Sequence, residues 1–362
     1  MAGRAAPRRH RHARRGGRVT PPPDRPTPAA GRRIGPETLA AYLDRLDAAD
    51  GAGAVALARG LLADGFSVAD VLVDLVAAAQ REVGRRWLTG SWSVAQEHAA
   101  THVSEQVVDA LGATAGPPRR GHVVMACVEG EWHALAARIV TEVVRAAGWR
   151  VTFLGASVPA RHLVSYLHQT GPDAVLLSCV QPNRLVRAAR MVEASRAAGV
   201  PVLAGGPGFG PDGRWATAIG AAGWGASARD AVVLLERPLS AAHTGAPPPP
   251  PDDSYVAVLH RRRELVGLAL ATVDPPEEHA EDVAAGIAHL VDALIAAVRV
   301  DDDRLLRDFV GWQEEALTSR GGRGLLDEVL GTLERALTEH PRVVARLRAA
   351  REGAPDDPGR AG

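Results

Sequence analysis

The 362-residue chain is too long for one compact core, so two or three domains are expected. Its 46% hydrophobic content can bury real cores; no apolar run approaches the roughly 18–20 residues of a spanning helix, and no apolar stretch follows the basic N-terminus as a secretory signal requires. Two cysteines, Cys127 and Cys179, argue against a disulfide framework or a cysteine-built metal site. The formal net charge of zero conceals ten arginines against one acid, Asp24, in residues 1–33, which leaves 32 basic and 41 acidic residues after them. The downstream part is therefore acidic and offers no basic domain to grip nucleic acid. The expectation is a soluble cytoplasmic protein with no sequence-specific nucleic-acid contact and no membrane contact.

In chain order, residues 1–33 have too little apolar content to fold alone and read as a disordered Arg/Pro-rich tail. Residues 34–116 read as a helical unit. Val55, Leu57, Leu61 and Leu62, then Val68, Val71, Leu72, Leu75, Val76 and Val83, recur at the helical period. Ser67 with Asp70 and Ser93 with Gln96 make capping-box starts, so four helices are predicted over 36–49, 52–64, 67–88 and 93–112. Their short turns suit a small antiparallel four-helix bundle.

The pattern changes over 120–237. Short β-rich runs at 123–127, 150–154, 174–179 and 201–204, with a weaker one around Trp224, alternate with helical stretches. Such alternation predicts a doubly wound, parallel five-stranded sheet whose ligand crevice lies beyond the strands' carboxyl ends. The loops to inspect are therefore 129–133, 178–183 and 205–210. The first reads Glu129-Gly130-Glu131-Trp132-His133. A histidine at a helix start is commonly a cap or a surface residue, but a metal-binding imidazole needs its second nitrogen held by an acceptor, and Glu131 stands two residues earlier. Ser178 ends the third strand, and Gly205-Gly206 ends the fourth, where paired glycines let a bulky planar group approach the backbone.

In this order and spacing, Glu131-Trp132-His133, Ser178-Cys179-Val180 and Gly205-Gly206 resemble the signature of cobalamin-binding flavodoxin-like domains: Asp-x-His-x-x-Gly, then Ser-x-Leu, then Gly-Gly. The resemblance implies that His133 replaces the cofactor's own base as lower cobalt ligand, with Glu131 as its hydrogen-bond partner. Ser178, Val180, Gly205 and Gly206 would line the slot for the nucleotide tail. Glu131, Val180 and Ala136 depart from the signature's aspartate, leucine and glycine, and Ala136 narrows the space beside the tail. Upstream, Trp87 followed after nine residues by Glu97-His98 resembles the pattern of cobalamin photosensor domains in light-responsive, MerR-type regulators. There the helical bundle caps the upper face of adenosylcobalamin, with the tryptophan against the adenosyl group; taken alone, Trp87 is also a natural core aromatic. Leu88 stands where the photosensors carry a histidine and cannot ligate cobalt. His98 and His102, one turn apart, are the possible substitutes and otherwise solvent-facing helix residues. No DNA-binding head is expected ahead of the bundle.

Residues 238–253, with five consecutive prolines at 247–251, read as a stiff linker. Helices are then predicted over 254–272, 277–298, 302–319 and 323–338, in an α-helical interaction or output domain spanning 254–352 that engages a protein partner. Residues 353–362 read as a second disordered tail. Val283, Ile287, Leu290, Val291, Leu294 and Val298 form one apolar face and Leu326, Val329, Leu330, Leu333 and Leu337 another. Asp301-Asp302-Asp303 favours a helix start through the macrodipole over a metal site, and Phe309 and Trp312 read as core aromatics. The expected function is a cobalamin-binding sensory or regulatory protein, photoreceptor-like, with adenosylcobalamin the favoured cofactor and methylcobalamin the alternative, and with no catalytic residues of its own. The alternative is a corrinoid carrier passing methyl groups to a separate methyltransferase. A degenerate module that has lost its cofactor is the third reading.

Overall fold

The computed structural model describes residues 33–238, 253–275, 277–318 and 324–352. The expected tails and proline linker lie, apart from Arg33, Pro238 and Asp253, outside the described residues. Four helical segments open the described residues: α1 (Pro36–Asp47), α2 (Gly51–Ala63), α3 and α4 (Val94–Gly112). Helix α3 runs from Val68–Asp70 through a π-helical stretch, Val71–Val76, into Ala77–Leu88. Both predicted capping boxes are present, Ser67 with Asp70 and Ser93 with Gln96, each satisfying donors that a helix start leaves open. The apolar positions read from periodicity turn inward, and Tyr42, Leu46, Leu72, Leu75 and Leu111 are fully buried between the helices.

The sheet follows: β1 (His122–Cys127), α5 (Leu135–Ala146), β2 (Arg150–Phe153), α6 (Ala160–Thr170), β3 (Ala174–Ser178), α7 (Leu185–Ala197), β4 (Val202–Gly205), α8 (Arg214–Ala218), β5 (Gly223–Gly225) and α9 (Ala228–Glu236). All pairings are parallel, in the order β2-β1-β3-β4-β5, which is the flavodoxin-like doubly wound arrangement. The winding direction reverses between β1 and β3, so the loops leaving these two strands diverge and open a crevice. At that edge Cys127, Ser178, Gly205 and Gly225 stand in register across four neighbouring strands. The cap rests on α5 and α9: Leu135, Ile139, Val143 and Ala228 belong to its core, and Arg229 bonds Asp70 and Asp74 of α3 at 2.8 Å.

Six helices complete the described chain: α10 (Asp253–His260), α11 (Arg262–Leu270), α12 (Ala280–Val300), α13 (Asp303–Thr318), α14 (Leu325–Ala336) and α15 (Pro341–Glu352). The segment predicted as one helix over 254–272 is interrupted at Arg261, whose guanidinium turns away to the Ala336 carbonyl and Glu339. Helix α15 lies beyond the helices predicted individually, although Pro341 at its first position is a start signal. The expectation that no segment reaches spanning length needs correction. Helix α12 has 21 residues and a mean hydropathy of 1.8 over its best window, enough by length and composition. Half of that window is buried inside the protein. Leu290, Val291, Leu294 and Ala297 are the centre of the helical bundle, and Asp292 pairs with Arg262 at 2.5 Å.

These helices share one continuous core with the sheet, in which Leu177, Phe209 and Trp215 join Leu290, Leu294, Val310 and Leu330. Trp215 Nε1 donates to Asp302 Oδ2 at 2.9 Å, and Asp302 Oδ1 accepts from the Arg304 amide at the start of α13. Asp302 thus caps α13 and anchors it to α8. A shared core predicts shared unfolding. Leu294→Ala, at a fully buried site, should cost about 2–5 kcal/mol, and the urea midpoints followed by tryptophan fluorescence and by far-UV circular dichroism should fall together. A split into two transitions would show that the C-terminal helices unfold independently.

Candidate functional site

The loop after β1 is built around one carboxylate. Glu131 is 1% exposed, and its two oxygens have four hydrogen-bonding neighbours. Oε1 accepts from the His133 amide at 3.0 Å and lies 2.5 Å from His133 Nδ1. Oε2 accepts from the amides of Val180 and Gln181, at 2.8 and 3.1 Å, in the loop after β3. The side chain therefore ties the two diverging loops of the crevice together and orients the imidazole. The His133 side chain is 58% exposed. With Nδ1 turned to the carboxylate, Nε2 is the nitrogen left to act outward as a ligand.

The loop after β2 adds support that sequence reading did not single out. Ser157 Oγ accepts from the Gly130 amide at 3.0 Å, and the Ser157 amide donates to the Glu131 carbonyl at 2.9 Å. The signal was faint: Gly155-Ala156-Ser157 looks like any turn, yet both Gly155 and Ser157 have positive φ.

Burial alone would push the Glu131 carboxyl up, but the hydrogen bonds and charge of His133 and the Val180 amide hold it below the usual carboxylate range. The hydrogen bond with Glu131 raises His133 above the ordinary imidazole value, against the effect of burial; Glu97 raises it further and Arg184 lowers it. Both thiols are pushed up by burial, Cys127 to about 12, so neither offers a thiolate at neutral pH.

The remaining expected residues take these places. Ser178 is buried at the end of β3, and Val180 contributes its backbone amide. Gly206 has φ +104°, and a Cβ there would collide with the Cys179 carbonyl, so only glycine fits without displacing the loop. Gly205 has ordinary φ, and a Cβ there would find the Gly225 carbonyl at 3.5 Å. In the cap, Glu97 occupies the first turn of α4; its carboxylate touches His98 Nδ1, accepts from Thr101 Oγ1 at 2.9 Å and is felt at His133. His98 and His102 are 74% and 70% exposed, and His102 Nε2 meets Gln106 at 3.1 Å.

Trp87 lies in the last turn of α3, and its ring centroid is 6.3 Å from that of Trp312 on α13. Phe309 is buried as expected, but Trp312 is not a core aromatic. It remains 38% exposed and spans the distance from Phe309 to Trp87. Helix α12 packs on the turn Pro182–Arg184 that leaves β3. The C-terminal helices therefore approach both the rim of the crevice and the cap above it.

Comparison with known proteins places these features in a family. A B12 binding domain matches residues 121–233, and a second B12 binding domain matches residues 38–111. The chain is 30% identical over 125 residues to a corrinoid protein of Desulfitobacterium hafniense, covering 33% of this chain and 56% of that protein. It is 37% identical over 134 residues to the HTH-type transcriptional repressor CarA of Myxococcus xanthus, covering 35% and 44%. It is 26% identical over 205 residues to trimethylamine corrinoid protein 1 of Methanosarcina acetivorans, covering 54% and 94%. The matches span about half the length of the first two relatives.

The Glu131–His133 pair gives a pH-dependent prediction. A lowered Glu131 contributes stability that is lost as pH falls through its folded value, and a raised His133 contributes stability that is lost as pH rises through its own. The pair is thus at full strength between roughly pH 4.3 and 6.5. Glu131→Gln puts an amide NH2 either against the Val180 and Gln181 donors or against His133, and should cost about 1–3 kcal/mol. In ligand-free protein the His133 imidazole, followed by NMR, should titrate above its ordinary value and drop back in Glu131→Gln. An unmoved midpoint would detach Glu131 from the imidazole.

Proposed function

Since residues 38–111 and 121–233 are B12 binding domains, the chain is a cobalamin-binding domain protein, and we propose that it is a sensory or regulatory one that holds adenosylcobalamin between cap and sheet. The residues present fit that group. Among the described residues no group of three or more His, Cys, Asp or Glu could hold a metal ion. A cobalt already held by four corrin nitrogens needs only an axial donor, and His133, oriented by buried Glu131, is a single outward-facing imidazole of that kind. When bound, the group supplies a light-sensitive bond between cobalt and an upper alkyl ligand. His133 would hold it from below; Ser178, Val180, Gly205 and Gly206 border the crevice in which its tail would lie; Trp87, Glu97 and His98 would face it from the cap.

The observation that carries the sensory reading is the contact between Trp87 and Trp312. A residue placed to feel the upper ligand lies against the protein's own C-terminal helices, so a change at Trp87 has a direct route into α13. From there the signal would reach a protein partner through the outer face of the helical domain, where Val256 and Leu268 are exposed. A carrier instead needs its upper face open to a separate methyltransferase. That second reading is favoured by the similarity to a corrinoid protein over nearly that protein's whole length.

Reconstitution separates the two. Adenosylcobalamin should bind about one to one, and His133→Ala should weaken binding or give a spectrum lacking the axial imidazole. Trp87→Ala should lose more affinity for adenosylcobalamin than for methylcobalamin, and the bound adenosylcobalamin spectrum should change under green light. Since Leu88 cannot ligate cobalt, the photoproduct should exchange readily with added cyanide. Equal losses for the two cofactors in Trp87→Ala would favour the carrier, and an unchanged spectrum in His133→Ala would remove the axial assignment.

A further inference from the structure

The turn leaving β3 holds an unsatisfied set of polar groups that the axial histidine does not use. Arg184 ends this turn, and Arg187 follows in the first turn of α7. Both guanidiniums reach back over Gly130, directly before Glu131: a Cβ on Gly130 would collide with Arg187 Nη1 and stand 3.5 Å from Arg184 Nη1. Neither arginine has a carboxylate partner among the described residues. Arg187 has a long contact of 3.5 Å to the Glu129 carbonyl. Arg184 Nη2 meets His289 Nε2 at 3.2 Å, while its Nε is buried without a partner. The two acids whose charge reaches Arg184 are already committed, Asp292 to Arg262 and Glu131 through both oxygens. Beside them Asn183 is 4% exposed, and neither its amide nitrogen nor its amide oxygen has a partner.

Two like charges side by side and half-buried are unfavourable without a counter-ion, and a buried carboxamide with no hydrogen bond adds a further cost. Burial and the neighbouring Arg187 both press Arg184 towards losing its proton, and the charges of Asp292 and Glu131 offset this only in part. One oxyanion would accept from both guanidiniums and from the Asn183 amide nitrogen, since guanidiniums pair with the oxygens of phosphate and a carboxamide NH2 can donate to the same group. We propose that Arg184, Arg187 and Asn183 form a phosphate-type oxyanion site beside the His133 loop. The oxyanion has two sources. It is the phosphodiester of cobalamin's own nucleotide loop, which rests on the function proposed above, or a free phosphate group, which does not.

The test uses the full chain and the Arg184→Gln/Arg187→Gln double variant, each titrated by calorimetry with cobalamin, with cobinamide (which lacks the nucleotide loop) and with inorganic phosphate. If the phosphodiester is the ligand, the variant should lose about tenfold or more in cobalamin affinity while cobinamide affinity holds. If free phosphate is the ligand, it should bind the wild type and not the variant. An equal loss for cobalamin and cobinamide with no phosphate binding, or no loss for any of the three, would overturn the site. A chain that bound no cobalamin would refute the proposed cofactor, and the phosphate arm would still decide this inference. Should the double variant fold poorly, Arg187→Gln alone removes the less constrained guanidinium and should show the same pattern at smaller amplitude.

Discussion

The buried carboxylate of Glu131 is the constraint on which the rest of the crevice depends. A doubly wound sheet opens its crevice because two neighbouring strands send their chains in opposite directions, and nothing in that topology holds the departing loops at a fixed separation. Here Glu131 accepts from backbone amides on both sides of the divide and orients the imidazole of His133 as well. The cost of burying a charge is met by these donors, so the loop geometry and the tautomer of His133 are set by one side chain. The glutamate that stands here in place of the signature's aspartate makes all four of these contacts.

The second organising feature is the shared core between sheet and C-terminal helices. A helical domain read as a separate output unit is packed against the crevice rim through α12 and against the cap through Trp312. Movement of the cap relative to the sheet therefore has to be accommodated at the Trp87–Trp312 contact.

Much of this was legible in the sequence because it depends on local chemistry. The capping boxes at Ser67 and Ser93, the fully buried runs of β1 and β3 and the two-residue spacing of Glu131 and His133 carry their meaning within a few positions. Other features depend on partners far away in the chain. Trp312 reads as core because its aromatic neighbour Phe309 is core, and its contact with Trp87 lies 225 positions away. The bonds from Glu131 to Val180 and Gln181 use backbone donors, which have no residue identity to recognise. The unsatisfied polar atoms of Asn183 and Arg184 are a property of their surroundings, visible only once every neighbour is placed.

The two glycines ending β4 answer to different demands. At Gly206 the backbone itself requires glycine, through its left-handed φ and the carbonyl of Cys179. At Gly205 neither reason applies: its φ is ordinary and an added methyl would meet the Gly225 carbonyl at normal contact distance. Folding is thus indifferent to a small side chain there, and what glycine preserves is empty volume at the end of a row whose side chains diminish from Cys127 through Ser178 to nothing. Among chains with this fold, the residue aligned with Gly206 reports whether the loop is built the same way. The residue aligned with Gly205 reports whether the rim has kept its room, and a small side chain at that position would mark a protein that still folds but has narrowed its shelf.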